Sequence, residues 1–568
     1  MTGHDHRLAL GLDFGTESVR ALLVDLNGQE RASAASPYRH RQILSSLPGS
    51  DQPLPAAFAL QHPQDWLDAA AKAVRSAMRQ VKVDAGVVIS LGVDFTSCTM
   101  LPTLRDGTPL SQLDAYRDQP HAWPKLWKHH GAQAATDRLN AVATKRDEQW
   151  LSRYGGIIGL EWLFPKMLEV MDASPDVYNA AELWMEAGDW FVWQLIGGGD
   201  VVPAEAMPRS TCQAGYKAMW SAATGYPSRD YLDAARPGFG GVLDKLPGSM
   251  TAPGERAGVL APAMAKKFGL PTGLPISAAV IDAHAGVPGA GVPGPDTMVM
   301  VMGTSNCYML NSREERRVPG VAGVVEHGIL PGFFGYETGQ AAVGDAFDWL
   351  RKLTGQKSFD QLNTDAAKLG PGAVDVQPAN QPANDVRDHD ASPLLCMDWM
   401  NGCRTPLMDG SLTGAFTGLK LAHRPAHLYR ALLEASAFGL RWIVDLLIEG
   451  GVPVKRFVAT GGLPHHNPLL VEIYADVLGK PIVVHPSRQG PALGAAILGV
   501  VAAGKSASGF ASASAAIKAM AEASPTHADP ARRPRVVKPD RKRHRQYQSI
   551  YDRYRDLADQ LRDGPRAR

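Results

Sequence analysis

Two apolar stretches, 8–12 and 19–24, open the chain and read as strands. Between them stands Asp13-Phe14-Gly15-Thr16-Glu17-Ser18, although a plain hairpin needs only a short Asn-Gly or Gly-Gly turn. An Asn-Gly turn in "DLNGQE" leads on to "QERASAAS", so the first forty residues read as three strands joined by two turns. The period then lengthens: Trp66, Ala70 and Val74 recur every four residues, predicting a helix over 62–81. "GVVISLGVDFTSCT" (86–99) reads as a buried strand ending in a polar loop, and residues 120–195 as several Trp-rich helices. The Gly- and Pro-rich stretch 225–256 reads as loop.

A second series of elements follows. "LPISAAVIDAHAGVPGAGVPGPDT" (274–297) reads as a strand, a short small-residue segment and a Pro/Gly break. The domain boundary falls there, giving halves 1–285 and 286–568. "MVMVMGTSN" (298–306) opens the second half as a strand followed by Gly-Thr-Ser. Residues 371–390 read as a polar surface insertion. Leu433, Ala437, Leu440, Val444 and Leu447 share one face of a helix over 427–451, with Gly after it. "RFVATGG" and "PIVVH" read as strands, "NPLLVEIYADVLG" and "PALGAAILGVVAAG" as helices. Alternating strands and helices predict α/β domains.

The length of 568 residues itself calls for two or more domains. A net charge of +1, from 58 basic and 57 acidic residues, supplies no general field for nucleic acid or an anionic membrane. The basic tail 532–562 is a local exception, and its Tyr and Leu spacing reads as a terminal amphipathic helix with a solvated charged face. Cys98, Cys212, Cys307, Cys396 and Cys403 are odd in number, scattered and without CxxC spacing, which argues against a metal cluster or disulfide framework. The first apolar run is short and broken by Asp13, unlike a signal peptide. The longest apolar run, "ALGAAILGVVAAG", is too short to span a bilayer and suits a buried helix. A soluble cytoplasmic protein is expected.

Chemistry enters at the turn after the first strand. Gly15 lets backbone N–H groups approach an anion, Thr16 and Ser18 add hydroxyls, and Arg20 offers positive charge, as a phosphate cradle requires. Asp13 is an oxygen ligand of the kind Mg²⁺ takes, here through water. The plainer reading is a polar hairpin with a surface Arg. Strand–Gly-Thr-Ser near Gly303 echoes strand–Asp-x-Gly-Thr near Asp13, so two glycine-hydroxyl loops face one ligand if the halves close on it. Asp282 ends an apolar strand beside the boundary, placed to take a proton from a hydroxyl or to cap a helix. Glu337 and Gln340 lie in a glycine-flanked segment, suited to sugar hydroxyls or to capping. Lys217 stands between apolar residues. His284 reads as a packed neighbour, and the adjacent pairs His129–His130 and His465–His466 as structural. "GVVAAGKS" (499–506) fits the Walker A string but lies in a helical run, where no strand feeds a phosphate loop.

Together these segments resemble the FGGY family of carbohydrate kinases, nearly end to end. "GLDFGTESVR" resembles its first phosphate motif, "LEWLFPKM" (160–167) and "GAFTGLKLAHRPAHLYRALLEASAFG" (414–439) its two signatures, "ATGGLPHHNPLLVEIYADVLGKPI" its adenosine loop and "PALGAAILG" its final glycine-alanine helix. "GVDFTSCTMLPTLRDGTPL", "KLWKHH", "AGYKAMW", "VIDAHAGVPGAG", "GTSNCYML" and "ETGQAAVGDAFDWL" are similar to segments of the ribulose-phosphorylating branch. The resemblance implies two actin-like (ribonuclease H-like) ATPase domains flanking a cleft. It implies ATP and Mg²⁺ as cofactors, a small sugar as substrate, phosphorylation of ribulose at its C5 hydroxyl, and a possible homodimer. By the same resemblance Gly15, Thr16, Glu17, Ser18 and Arg20 form one phosphate loop, with Asp13 near Mg²⁺. Gly303, Thr304 and Ser305 face the phosphates from the other side, and Gly461, Gly462 and Asn467 border adenosine. Ser97, Lys217, Asp282 and Glu337 contact the sugar, with Asp282 as base. "TGGLPHHNP" departs from the family in its two histidines. Rival expectations are a kinase for xylulose, ribitol or glycerol, and an actin-like ATP-binding regulator that transfers nothing.

Overall fold

The computed structural model describes residues 6–375, 393–523 and 529–563. The strands used below are β1 (Leu8–Phe14), β2 (Ser18–Asp25), β3 (Glu30–Pro37), β4 (Val88–Phe95), β5 (Arg256–Val259), β6 (Pro275–Ser277), β7 (Val280–Ile281), β8 (Thr297–Met302), β9 (Asn306–Ser312), β10 (Gly323–Glu326), β11 (Phe334–Gln340), β12 (Arg456–Thr460), β13 (Ile482–Val484) and β14 (Arg535–Val537). The helices are α1 (Pro63–Val81), α2 (Ala187–Leu195), α3 (Thr211–Lys217), α4 (Asp282–Gly289), α5 (Gly344–Leu353), α6 (Pro425–Glu449), α7 (Pro468–Leu478), α8 (Gly490–Ala503) and α9 (Arg541–Asp563).

The strands form two seven-stranded sheets of matching topology. In the first the order is β3-β2-β1-β4-β6-β5, with β7 also paired to β4. In the second it is β10-β11-β9-β8-β12-β13-β14. Each sheet starts from a hairpin whose first strand, β1 or β8, then pairs in parallel with a later strand, β4 or β12. The echo between residues 13 and 303 is therefore a repeated fold: both loops close the first hairpin of their sheet.

Period-2 alternation assigns the faces of the first sheet. Leu8, Leu10, Leu12 and Phe14 of β1, with Leu91, Val93 and Phe95 of β4, pack against Trp66, Ala70 and Val74 of α1 and Phe191 of α2. The intervening positions, Ala9-Gly11-Asp13 and Ser90-Gly92-Asp94, turn to the opposite face. There α8 lies so close that a Cβ on Gly92 would overlap the Ala495 carbonyl oxygen. Helix α4 carries the chain from the first sheet to the second and crosses α8, where a Cβ on Gly494 would overlap the Ala285 carbonyl. One buried cluster joins Ala9, Leu22 and Val24 of the first sheet, Ala285 and Val287 of α4, Val299 and Met309 of the second sheet, and Ala492, Ala496 and Ile497 of α8. The apolar run predicted to be a buried helix is α8, and each half supplies a helix that completes the packing of the other.

Helix α1 starts where His62 accepts the Gln64 N–H and Pro63 occupies the first turn, and it stops at Lys82 in the left-handed region. Between β4 and β5 the chain builds a separate buried cluster around Tyr154, Trp162, Phe164 and Trp184. The stretch 225–256 is more ordered than its Gly and Pro content suggests. It holds a helix, Arg229–Ala235, capped by Ser228, and a short strand, Ser249–Thr251. The small-residue segment after β7 is the helix α4. Most of the insertion predicted over 371–390 lies outside the described residues. The basic tail forms α9, whose Tyr547, Ile550, Tyr551 and Tyr554 pack into the core of the second half. Among the described residues no single helix is long and apolar enough to cross a membrane.

Candidate active site

The first hairpin turn is closed by one bond, Gly15 N–H to the Ser18 carbonyl at 3.0 Å. The second repeats it, with Gly303 N–H donating to the Ser305 carbonyl at 3.1 Å. Neither glycine is needed by its own turn. A Cβ on Gly15 would meet only the Ser18 oxygen at 3.5 Å, and one on Gly303 only the Ser305 oxygen at 3.8 Å. Both have ordinary negative φ. The absent side chains leave open room in front of each hairpin, which is what a phosphate needs to reach backbone N–H groups. The first hairpin is held from behind. Tyr38 Oη donates to the Gly15 carbonyl at 2.9 Å, Gln61 Nε2 to the Thr16 carbonyl at 2.8 Å, and Trp127 Nε1 to Thr16 Oγ1 at 3.1 Å. Glu17 is exposed and takes a hydrogen bond from Gln42. At the second hairpin the N-terminus of α5 donates to the Gly303 and Thr304 carbonyls.

Three carboxylates gather at the carboxyl ends of adjacent parallel strands. Asp13 on β1 lies opposite Asp94 on β4, and Val280 of β7 is the other neighbour of Asp94, two residues before Asp282. Burial pushes all three upward. For Asp13 the nearby Arg20, with Nη1 3.4 Å from Oδ2, opposes the rise. Asp94 is pushed well above the usual carboxylate range, by burial first and then by Asp13 and Asp282. Both of its oxygens are buried and lack a hydrogen-bond donor. Asp282 is pushed up to about 7, by burial first and with Asp13 adding to it, although Oδ1 accepts the Ala283 N–H at 2.7 Å. Like charges this close hold protons or call for a cation.

Lys217, the last residue of α3, reaches across to Glu337 on β11. Its Nζ stands 2.8 Å from each carboxylate oxygen, and both side chains are buried. Arg404 makes a second, short contact to Glu337, and His284 Nε2 lies 3.5 Å from it. Burial, and then Arg404, pull the Lys217 ammonium below its ordinary value, so its charge rests on Glu337. Ser97 sits half-buried in the turn after β4. That turn is rigid: Cys98 holds φ +59°, Thr96 and Thr99 hydroxyls meet at 2.9 Å, and buried Lys166 donates to the Cys98 and Leu126 carbonyls at 2.6 Å each.

Gly461 follows β12 with φ +95°, and a Cβ there would overlap the Met302 carbonyl, so this glycine is fixed by the backbone. Asn467 is committed elsewhere. Its Oδ1 accepts the Leu470 N–H at 3.1 Å as the N-cap of α7, and its Nδ2 donates to Tyr429 Oη at 3.0 Å. The Walker-like string runs along α8 and past Gly504, with no strand before it. His129 is buried against Glu169, with Nε2 2.9 Å from both oxygens, a structural pairing as expected.

Asp94, Arg404 and Lys166 were not singled out from the sequence. For Asp94 the signal was present: in "SLGVDF" the acid stands on the glycine-bearing face of its strand, as Asp13 does in "ALGLDF". Arg404 carried none, because 67 residues separate it from Glu337.

Two sheets of repeated topology, each opened by a glycine hairpin, with a carboxylate cluster beside the first, define a phosphotransfer enzyme of the actin-like kind. The chain belongs to the FGGY family of carbohydrate kinases: the model of the family's N-terminal domain matches residues 8–289 and that of its C-terminal domain residues 298–503. It is 42% identical over 555 residues to a ribulokinase from Shouchella clausii, covering 97% of this chain and 95% of that one. It is 44% identical over 521 residues to a ribulokinase from Halalkalibacterium halodurans, covering 90% and 89%. Among solved structures, a xylulose kinase from Rhodospirillum rubrum superposes with TM-score 0.75 at 23% identity, covering 98% of this chain and 99% of that one. A Plasmodium falciparum glycerol kinase with ADP superposes with TM-score 0.72 at 14% identity, covering 97% and 98%. These two likenesses establish the fold alone.

Proposed function

We propose that this carbohydrate kinase transfers the γ-phosphoryl group of ATP to the C5 hydroxyl of ribulose, giving ribulose 5-phosphate and ADP. The observation that carries the chemistry is Asp282, a half-buried carboxyl pushed up to about 7 by desolvation, with Asp13 adding to the rise. Likeness to ribulokinases over nearly the whole chain supports the sugar.

In this reading residues 1–285 supply the base, the first phosphate hairpin and the sugar contacts Ser97 and Lys217, and residues 286–568 supply the nucleotide site and one sugar contact, Glu337. Lys217, Glu337 and Ser97 orient the sugar's polar groups. Asp282 takes the C5 hydroxyl proton as that oxygen forms its bond to the γ-phosphorus and the bond to the ADP oxygen breaks. Gly15, Thr16, Ser18 and Arg20 on one side, and Gly303, Thr304 and Ser305 on the other, hold the phosphates. Gly461 and Gly462 border the base and ribose. The donor set of Asp13 and Asp94, all carboxylate oxygen with two oxygens unpartnered, fits Mg²⁺. When bound, that ion neutralises charge on the transferring phosphates. Closure of the halves keeps water from accepting the phosphoryl group.

A base that must be ionised sets a pH limb. Below a pH of about 7 Asp282 holds its proton, so kcat/KM for ribulose should fall roughly tenfold per pH unit. A profile flat from pH 5.5 to 8 at saturating Mg²⁺ contradicts the assignment. The direct test is ADP release with Mg²⁺ and ATP against D- and L-ribulose, D- and L-xylulose, ribitol and glycerol. Ribulose-dependent release with phosphoribulose as product is expected. Release with another polyol alone reassigns the substrate residues, and ATP binding without stimulated turnover favours a regulator.

A further inference from the structure

A buried chain of polar side chains leads from the second glycine hairpin to the C-terminal helix. Gly303 N–H, besides its bond within the turn, donates to Asn306 Oδ1 at 3.3 Å. Asn306 Nδ2 donates to Tyr308 Oη at 3.1 Å and to Tyr474 Oη at 3.4 Å. The Tyr308 hydroxyl donates to Gln340 Oε1 in a short contact, and Gln340 Nε2 to Asp398 Oδ2 at 2.8 Å. From α9, Tyr554 Oη donates to Asp398 Oδ1 at 3.1 Å. Asn306, Tyr308, Gln340, Asp398 and Tyr554 are all buried. Helix α6 makes room for them, since a Cβ on Gly439 would overlap the Gln340 amide nitrogen.

Every bond from Gly303 to Asp398 is donated in the same direction, and Asp398 sets that direction. A carboxylate only accepts, so Gln340 offers it Nε2 and turns Oε1 to Tyr308. Tyr308 then gives its proton to Gln340 and accepts from Asn306, whose Oδ1 is left for Gly303. The peptide at the base of the hairpin is thereby fixed. Its N–H is held by Asn306, and its carbonyl, that of Met302, is the atom a Cβ on Gly461 would overlap.

We infer that this chain positions the second hairpin on the nucleotide's phosphates, and that the basic C-terminal helix supports the active site through Tyr554. Burial pushes the Asp398 carboxyl up, while its own backbone N–H, Tyr554 and Gln340 oppose the rise. Without the Tyr554 hydroxyl the buried carboxyl takes a proton and becomes a donor. Gln340 then turns over, and Tyr308 and Asn306 follow. Asn306 Nδ2 now faces the Gly303 N–H, donor against donor, and the hairpin has to move. This role for α9 rests on the hairpin's being the phosphate loop proposed above.

Tyr554→Phe removes one hydroxyl and keeps the ring. Tyr551→Phe is its control, because Tyr551 is buried on the same helix and donates to Asp445 Oδ2 at 2.9 Å, off the chain. Full-length proteins are compared by amide hydrogen exchange over residues 303–306, and by calorimetry with Mg²⁺ and a non-hydrolysable ATP analogue. Tyr554→Phe should exchange faster there. It should bind the analogue about 3- to 30-fold more weakly, the scale on which residues of a connected network alter affinity at a distance. Tyr551→Phe should do neither. Tyr308→Phe cuts the chain nearer the hairpin and should match Tyr554→Phe, and the double variant should bind no more weakly than Tyr308→Phe alone. Exchange unchanged in Tyr554→Phe and Tyr308→Phe, or raised equally by Tyr551→Phe, overturns the chain itself. Faster exchange with unaltered analogue binding, or a wild type that binds no analogue, overturns the phosphate reading of the hairpin and with it the role of α9. If Tyr554→Phe does not fold, Tyr308→Phe against the control decides by the same outcomes.

Discussion

Asp282→Asn is expected to lower turnover by about 10²–10⁴-fold, the usual worth of a positioned general base. ATP affinity, measured by calorimetry without sugar, should change by less than roughly threefold, because about 0.6 kcal/mol is all that factor represents. The variant keeps side-chain volume and the bond from the Ala283 N–H. It removes one of three crowded carboxylates, which relieves repulsion on Asp13 and Asp94. Folding stability should therefore hold or rise while chemistry is lost. A variant that unfolds at lower denaturant and also loses activity points to a structural Asp282. Equal turnover removes it from the reaction.

Glu337→Gln should lose both stability and sugar binding, for a different reason. Glu337 is the acceptor shared by Lys217 and Arg404, with His284 beside them. A neutral amide leaves two cations facing each other around a buried site. Breaking such a pair from one side costs about 3–5 kcal/mol. The double variant Lys217→Met/Glu337→Gln restores much of that stability, since one cation goes with the anion. It should not restore turnover with ribulose, because both charged groups proposed to hold the sugar are gone. Denaturant midpoints and KM for ribulose on the three proteins separate the two effects. Stability equal to wild type in Glu337→Gln shows that the pair contributes nothing to the fold.

The topology was legible wherever local pattern dictates structure. The alternation in "LALGLDF", the four-residue spacing from Trp66 and the apolar run of α8 each read correctly, because burial enforces period 2 in strands and period 3.6 in helices. The sequence also marked the Gly15 and Gly303 hairpins as a pair, and the sheets carry them at corresponding places. What escaped was decided across distance. Arg404 reaches Glu337 from a loop with no periodicity, and Asn467 offers to a ligand only what its helix cap leaves over. The stretch 225–256 took on structure because Ser228 caps a helix that its glycines and prolines obscure. Asp94 was hidden in plain view, as one acid in an apolar strand whose partner acid, Asp13, lies 81 residues earlier.

The contact of α8 with the first sheet has a consequence for how the chain is born. The glycine face of β1 and β4 is covered by residues 492–499, which leave the ribosome long after both strands. At about 5–20 residues per second, the strand holding Gly11 waits roughly half a minute to a minute and a half for its cover. During that interval the nascent N-terminal half shows an incomplete apolar face to solvent. Chaperone occupancy on translating ribosomes should persist until α8 emerges.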